Sequence, residues 1–169
     1  MTIFSKGKEH GVSESINQLN EFHLEKDQRE AILSSFMRYN QKNNRIIQVP
    51  LFLNYFNIFN IDGSFCKTVC LGNQIMEIDS EIKSLPNNFF YDVRTYEKFF
   101  VVMCEIDGQR SLRFFSYDGK PLYNLEYNAS ATRFDIDMQN NILYLLDYEN
   151  DTVEFFDISN IIDSVYNLM

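Results

Sequence analysis

Basic residues are in deficit in this sequence of 169 residues, which has 15 Lys and Arg against 24 Asp and Glu and a net charge of −9. A protein that binds the phosphates of a nucleic acid usually presents a basic face, so we expect no nucleic-acid partner. No stretch approaches the roughly 20 apolar residues of a membrane-spanning helix. The opening MTIFSKGKEHG lacks the apolar core of a signal peptide. We therefore expect no transmembrane segment and no signal peptide in this chain, and the compartment stays unknown.

Cysteine and histidine are also scarce. Cys66, Cys70 and Cys104 form neither a paired framework nor a close cluster of the kind that holds zinc. Cys66 and Cys70 are four residues apart in a predicted strand, which separates them by roughly 13 Å and excludes a disulfide between them. We expect buried thiols, and a disulfide from Cys104 to either one stays open. His10 and His23 have no ligand cluster near them in the sequence, so we predict no metal site.

Motifs of catalysis and nucleotide binding are missing too. The sequence has no G-x-S-x-G elbow, no Walker-type loop and no dinucleotide fingerprint. It therefore offers no catalytic residue and no cofactor site, although acidic loops described below would suit calcium. Tryptophan is absent, but 16 Phe and 10 Tyr are present, and these residues favour the half-buried surface of a β-sheet. The composition indicates a fold built from strands.

An internal repeat organises these strands. A shift of 97 places superimposes residues 43–49 on 140–146 and residues 58–61 on 155–158, whereas a shift of 41 places brings residues 101–104 onto 142–145 and 114–115 onto 155–156. The three copies are therefore 56 and 41 residues apart. The shorter spacing is that of one blade of a β-propeller, and the longer one implies an insertion around residues 74–85.

Each copy shows the same order of elements. In the last copy, residues 132–138 alternate between polar and apolar as a half-buried strand does, and residues 142–146 are continuously apolar, as expected of a strand covered on both faces. Residues 152–158 form the third strand, and residues 160–169 are long enough for a fourth strand or a final helical turn. In the first two copies an Asp-Gly turn joins the third strand to a fourth.

The sequence thus predicts an all-β fold with about three four-stranded antiparallel blades, half of a six-bladed ring. The blades span about 31–72, 86–128 and 129–169 within a segment 31–169. Residues 1–30 form an N-terminal extension, in which 20–26 alternate like an extra strand. A β-sandwich or meander of the same strands is the alternative. Because a propeller typically closes with four to eight blades, we expect either self-association of half-rings into a homodimer or missing blades of a longer parent.

A family resemblance supports this interpretation. The segments FNIFNIDGSF at 56–65 and LRFFSYDGKPL at 112–122 resemble the third strand, Asp-Gly turn and fourth strand of TolB-like six-bladed propellers, and NILYLLD at 141–147 resembles their second strand. The nearest type is the Bacteroidetes group of unknown function, which is often exported or associated with the cell envelope. The resemblance implies the fold and no catalytic activity. The chain departs from the family in having half of its blades.

Binding is predicted on the loops between the second and third strands of the blades, because loops on a rigid scaffold commonly carry function. We call these the B–C loops, after blade strands A to D, and two of the three are acidic. The function that we expect is a non-enzymatic module that binds a protein or a carbohydrate. The alternative is an enzyme that uses the propeller channel, such as a calcium-assisted lyase or lactonase. The predicted binding residues are Glu105, Asp107, Arg110, Asp147, Glu149 and Asp151.

Overall fold

The computed structural model describes residues 2–5, 8–12, 34–72, 88–127 and 130–169, the first two ranges as backbone strands only. Contacts divide the chain into two compact units, residues 1–88 and 89–169, and each unit is described by itself. No helix in the described ranges has the length and the hydropathy to cross a bilayer. The described structure is nearly all β, as the sequence predicts.

The first unit contains a two-stranded hairpin and a four-stranded antiparallel sheet. The hairpin pairs two short strands, β1 (Thr2–Ser5) and β2 (Lys8–Val12), which the sequence did not predict. The sheet is an up-and-down meander in which each strand pairs with the next along the chain. Its strands are β3 (Ser35–Asn40), β4 (Arg45–Pro50), β5 (Tyr55–Asn60) and β6 (Phe65–Cys70).

The second unit contains one four-stranded sheet, one three-stranded sheet and a helix. Both sheets are antiparallel meanders. The first has strands β7 (Phe90–Thr95), β8 (Phe99–Ile106), β9 (Gln109–Ser116) and β10 (Pro121–Glu126). The second has strands β11 (Arg133–Asp137), β12 (Ile142–Asp147) and β13 (Thr152–Asp157), and α1 (Ser159–Leu168) follows it.

The turns repeat along with the strands. Asn44 and Asn141, 97 residues apart, both have a positive φ, of 52° and 55°, in the turn before the second strand of their sheets. Gly63 and Gly119, 56 residues apart, have φ values of 85° and 81° in the Asp-Gly turns. Asn and Gly tolerate this left-handed conformation better than other residues do. The backbone thus confirms the repeat that the sequence shows.

The core of the second unit lies between its two sheets and under α1. Phe99, Val101 and Phe114 on the four-stranded sheet belong to one buried cluster with residues of the three-stranded sheet and the helix. The remaining buried members are Met103, Leu112, Leu122, Ala131, Phe134, Ile136, Leu143, Leu145, Ile158, Ile162 and Val165. Burying side chains of this size contributes about 1.5–3 kcal/mol each, so this cluster fixes how the two sheets pack.

The third sheet differs from the prediction at its end. Residues 159–168 form the helix α1 of about three turns, so of the two alternatives for this segment the helical one is right. Ile162 and Val165 on one side of α1 are buried in the core. The helix α1 therefore packs on the core of this unit, and the chain does not add a fourth strand to the sheet.

Two further expectations need correction. Cys66 is exposed and Cys70 is half-buried, because both lie on β6, the outermost strand of its sheet, and Cys104 alone is buried. All three thiols are free, so the open disulfide to Cys104 is not formed. Strand β12 is not covered on both faces, since Tyr144 at its centre is exposed. The predicted strand at 20–26 and the insertion at 74–85 lie outside the described residues.

Candidate functional site

Glu105 and Arg110, two predicted binding residues, form an ion pair at the turn between β8 and β9. The Arg110 Nε lies 3.0 Å from a Glu105 carboxylate oxygen, to which the Tyr91 hydroxyl also donates at 3.0 Å. The hydrogen bond from Arg110 holds the pKa of Glu105 below its ordinary value. The guanidinium also packs 4.8 Å from the centroid of the Tyr91 ring and donates through Nη1 to the Ala131 carbonyl at 3.1 Å. This pair therefore ties the two sheets of the unit together.

The Asp147 carboxylate accepts hydrogen bonds from the turn that follows it and from Ser130. The donors are the backbone N–H of Glu149 at 2.9 Å and of Asn150 at 3.2 Å, the Asn150 side-chain amide at 2.7 Å, and the Ser130 hydroxyl. These donors, the Ser130 hydroxyl first, lower the pKa of Asp147 to about 2. A carboxylate that accepts several such bonds stays ionised, and here it stabilises the loop.

The other three predicted residues face solvent. Asp107 and Asp151 lie in the turns before β9 and β13, with φ values of 52° and 51°, and Glu149 is exposed two residues before Asp151. Within the described ranges, no three His, Cys, Asp or Glu side chains lie close enough to hold a metal ion. The structure thus pairs Glu105 with Arg110 and does not bring the six residues together, and their role in binding stays a prediction.

In two of the sheets, the B–C loop is hydrogen-bonded to the chain segment before or after that sheet. The Ser130 hydroxyl, which precedes β11, bonds to Asp147, which ends β12. In the first unit, the Leu71 N–H after β6 donates to the Asn54 carbonyl before β5 at 2.7 Å. The B–C loop of each of these sheets therefore lies beside a chain segment that enters or leaves the same sheet. In the second unit they border a polar depression of about 370 Å³, lined by Ser130, Ala131, Leu145, Asp147, Asn150, Thr152 and Glu154.

The three-stranded sheet carries an exposed apolar surface on its outer face. Tyr144 on β12 pairs with Phe155 on β13, and Leu146 pairs with Val153, so these side chains share one face of the sheet. Tyr144, Val153 and Phe155 are 40%, 60% and 71% exposed. We call this surface, with the half-buried Ile142 beside it, the open face. Three blades that do not close a ring predict an exposed apolar face on a terminal blade, but the sequence did not single out these residues.

A groove lies on the opposite side of β13. It has a volume of about 490 Å³ and lies between the inner faces of β12 and β13 on one side and the end of β10 and the start of α1 on the other. We call it the edge groove. Its lining residues are Leu125, Glu126, Tyr127, Leu143, Leu145, Glu154, Phe156, Asp157, Ile158 and Ile161.

Tyr127 carries an unusual polar atom. Its hydroxyl oxygen is buried and has no hydrogen-bond partner among the described residues. Burial raises the pKa of this phenol above its ordinary value, so the group stays protonated at neutral pH. An unpaired buried hydroxyl costs about 1–3 kcal/mol of desolvation, so the Tyr127 hydroxyl lowers the free energy of unfolding of this unit.

Comparison with known proteins supports the fold. No protein-family model matches the chain, and no curated protein does. Among solved structures, the chain is similar to a Bacteroides fragilis protein described as "a putative 6-phosphogluconolactonase", with a TM-score of 0.55 and 10% sequence identity over 77% of this chain. The fold is propeller-like.

The same comparison limits what can be transferred. The chain spans 36% of the length of that protein, so about two thirds of the neighbour has no counterpart in it. At 10% identity the likeness supports propeller-type blades and carries no residue roles or activity from one protein to the other.

Proposed function

We propose that this chain is a non-enzymatic interaction module, half of a TolB-like six-bladed propeller, whose open face binds a blade of a second copy of the chain. The observation that carries the proposal is the contrast between equivalent faces of neighbouring sheets. The 41-residue shift places Val101, Met103, Leu112 and Phe114 on Ile142, Tyr144, Val153 and Phe155.

The first four residues are fully buried, and they pack against the next sheet of the same unit. Their equivalents Tyr144, Val153 and Phe155 on the open face are exposed. A contiguous exposed apolar surface of this kind is typical of a protein interface. Because the repeat gives the open face the position that a neighbouring blade covers elsewhere in this chain, another blade is the occupant that fits its chemistry.

A second copy can supply this blade. The four-stranded sheet of the first unit carries the exposed apolar side chains Met37, Tyr39 and Phe65. Tyr39 pairs with Ile46, Ile46 with Phe59, and Phe59 with Phe65, so Tyr39 and Phe65 lie on the two outer strands of one face, and Phe59 between them is fully buried. If this face of one copy packs on the open face of the other, the contact occurs twice in a closed dimer.

Analytical ultracentrifugation of the purified chain tests the proposal. We expect a concentration-dependent dimer, and we expect Phe155→Glu to abolish it, since a buried unpaired charge at an interface is costly. The matched control is Ile61→Glu, which alters an exposed apolar residue in the turn after β5 and should leave the dimer intact. A wild-type chain that stays monomeric and folded at high concentration would contradict the second copy as occupant and favour blades from a longer parent.

The second candidate function is an enzyme that uses a propeller channel with calcium, such as a lyase or lactonase. The three acidic residues Asp147, Glu149 and Asp151 in one loop suggest it, although no three carboxylates in the described ranges lie close enough to hold a metal ion. Thermal melting in the presence of calcium separates the candidates, because a ligand that binds the native state raises the melting temperature. A rise of several degrees that Glu149→Gln removes would support the enzyme, and the interaction module predicts no rise.

A further inference from the structure

Strand β13 is the last strand of a sheet that has three strands, whereas the other two blade sheets have four. In the first two sheets the third strands, β5 and β9, pair with a fourth strand, β6 and β10. Their equivalent in the third sheet, β13, pairs with β12 and has no second neighbour among the described strands. The chain continues into α1, so a row of backbone donors and acceptors is left open along β13.

The geometry of the ladder shows which groups are open. The Ile158 N–H donates to the Asn141 carbonyl at 2.9 Å, so at this position the backbone points towards β12. Direction alternates along a strand, and the N–H and C=O groups of Val153, Phe155 and Asp157 therefore point away from β12, towards the open edge. Three residues thus offer pairs of backbone hydrogen bonds to an added strand.

This edge lacks the proline, the lysine and the irregular register that are found at the edges of the other two blade sheets. Strand β10 begins with Pro121 and has an irregular register with β9, and β6 carries Lys67 and is irregular against β5. Such features blunt the edges of natural sheets. Strand β13 pairs with β12 in an unbroken register and contains neither proline nor lysine. Its edge is therefore suited to accept a strand.

The edge groove supplies side-chain contacts for such a strand. Leu143, Leu145 and Phe156 line it from the sheet, and Leu125 and Ile161 line it from the other side. A strand added beside β13 directs alternate side chains to this inner side of the sheet. The groove would therefore receive the apolar residues of an alternating sequence, one every second position.

The charge of the groove selects the partner. Glu126, Glu154 and Asp157 line it, and neither Lys nor Arg is among its lining residues. A second copy of this chain, with a net charge of −9, is poorly matched to an acidic groove. We propose that β13 binds an extended segment of a basic partner protein as a fourth strand, with alternate apolar residues in the edge groove and Lys or Arg at its ends. This mode is β-strand addition.

The inference goes beyond the proposed dimer, because it uses the edge and the inner side of β13 and leaves the open face on the outer side. The probe is the synthetic peptide Lys-Val-Thr-Trp-Thr-Val-Lys, whose apolar residues alternate. Since the protein has 10 tyrosines and no tryptophan, excitation at a wavelength that only tryptophan absorbs makes the fluorescence of the peptide report binding. We expect saturable binding with a blue shift of the tryptophan emission and a weaker affinity at high salt.

Controls on both sides locate the binding. Val153→Pro removes one edge N–H and leaves the β12 ladder intact, and it should weaken binding about threefold to tenfold, as expected for one lost hydrogen bond. Two control peptides should both bind more weakly than the alternating peptide. In one, N-methyl groups on alternate residues remove the backbone donors that face β13. In the other, the three apolar residues are consecutive and cannot all enter the groove. Equal affinity of the alternating and consecutive peptides, or no binding of the alternating peptide, would overturn the inference. The peptide controls decide the matter even if the variant does not fold.

Discussion

Phe114 and Phe155 occupy equivalent positions 41 residues apart, and replacing each by alanine tests the open face directly. Phe114 is fully buried, with its ring centroid 5.6 Å from that of Phe99 and 6.1 Å from that of Tyr123. Truncation of such a ring costs about 3–5 kcal/mol through lost burial and the cavity left behind. In a chain of this size that lowers the melting temperature by roughly 6–20 °C.

Phe155→Ala should behave differently in the monomer. The side chain is 71% exposed, and surface substitutions usually change the free energy of unfolding by less than about 0.5 kcal/mol. Circular dichroism during thermal unfolding, at micromolar and then at much higher protein concentration, measures both variants. The loss of stability in Phe155→Ala should grow with protein concentration, because only native chains form the dimer. If Phe155→Ala costs as much as Phe114→Ala at the lowest concentration, the open face is covered within one chain and our reasoning is wrong.

Three further predictions concern the second unit. Tyr127→Phe removes a buried hydroxyl without a described partner, so denaturant unfolding should show unchanged or higher stability, by up to about 1 kcal/mol; a clear loss would reveal a missing partner. Arg110→Lys keeps the charge but lacks the planar guanidinium that reaches Glu105 and the Ala131 carbonyl, so it should lower the free energy of unfolding by about 1–2 kcal/mol. An unchanged unfolding midpoint would show that Arg110 does not hold the two sheets together. Asp147→Asn should lower the melting temperature at pH 6 and have little effect near pH 2. The folded-state pKa of Asp147 is depressed to about 2, so its contribution to stability is present above the unfolded-state pKa near 4 and disappears as the pH falls towards 2. A difference in melting temperature that stays constant across this pH range would show that the ionised carboxylate is not its cause.

The strands could be predicted from sequence because their signals are local. Alternation in residues 132–138 predicted β11, where Phe134 and Ile136 are buried and Asp135 is exposed. Apolar runs and Asp-Gly turns located the strands of the other sheets in the same way. The helix α1 was left open, since a short apolar segment fits a strand or a helix until its packing partners are known.

The site residues were harder to predict. Glu105, Arg110 and Asp147 were chosen for their charge and their loop position, and the structure shows them in hydrogen bonds that hold loops and sheets. A charged residue that ends a strand can serve a ligand or its own turn equally well. Only the positions of the donors, such as the Ser130 hydroxyl beside Asp147, distinguish the two.

The sequence by itself determined the period, the strands, the turns and therefore the blade-like sheets, because each depends on residues close together in the chain. The tertiary structure decided which faces and edges are covered. Met103 and Tyr144 are equivalent in the repeat, yet the first is buried and the second is exposed. The difference lies in whether another sheet packs above them, and that depends on contacts between distant parts of the chain, or between chains, which no local pattern encodes.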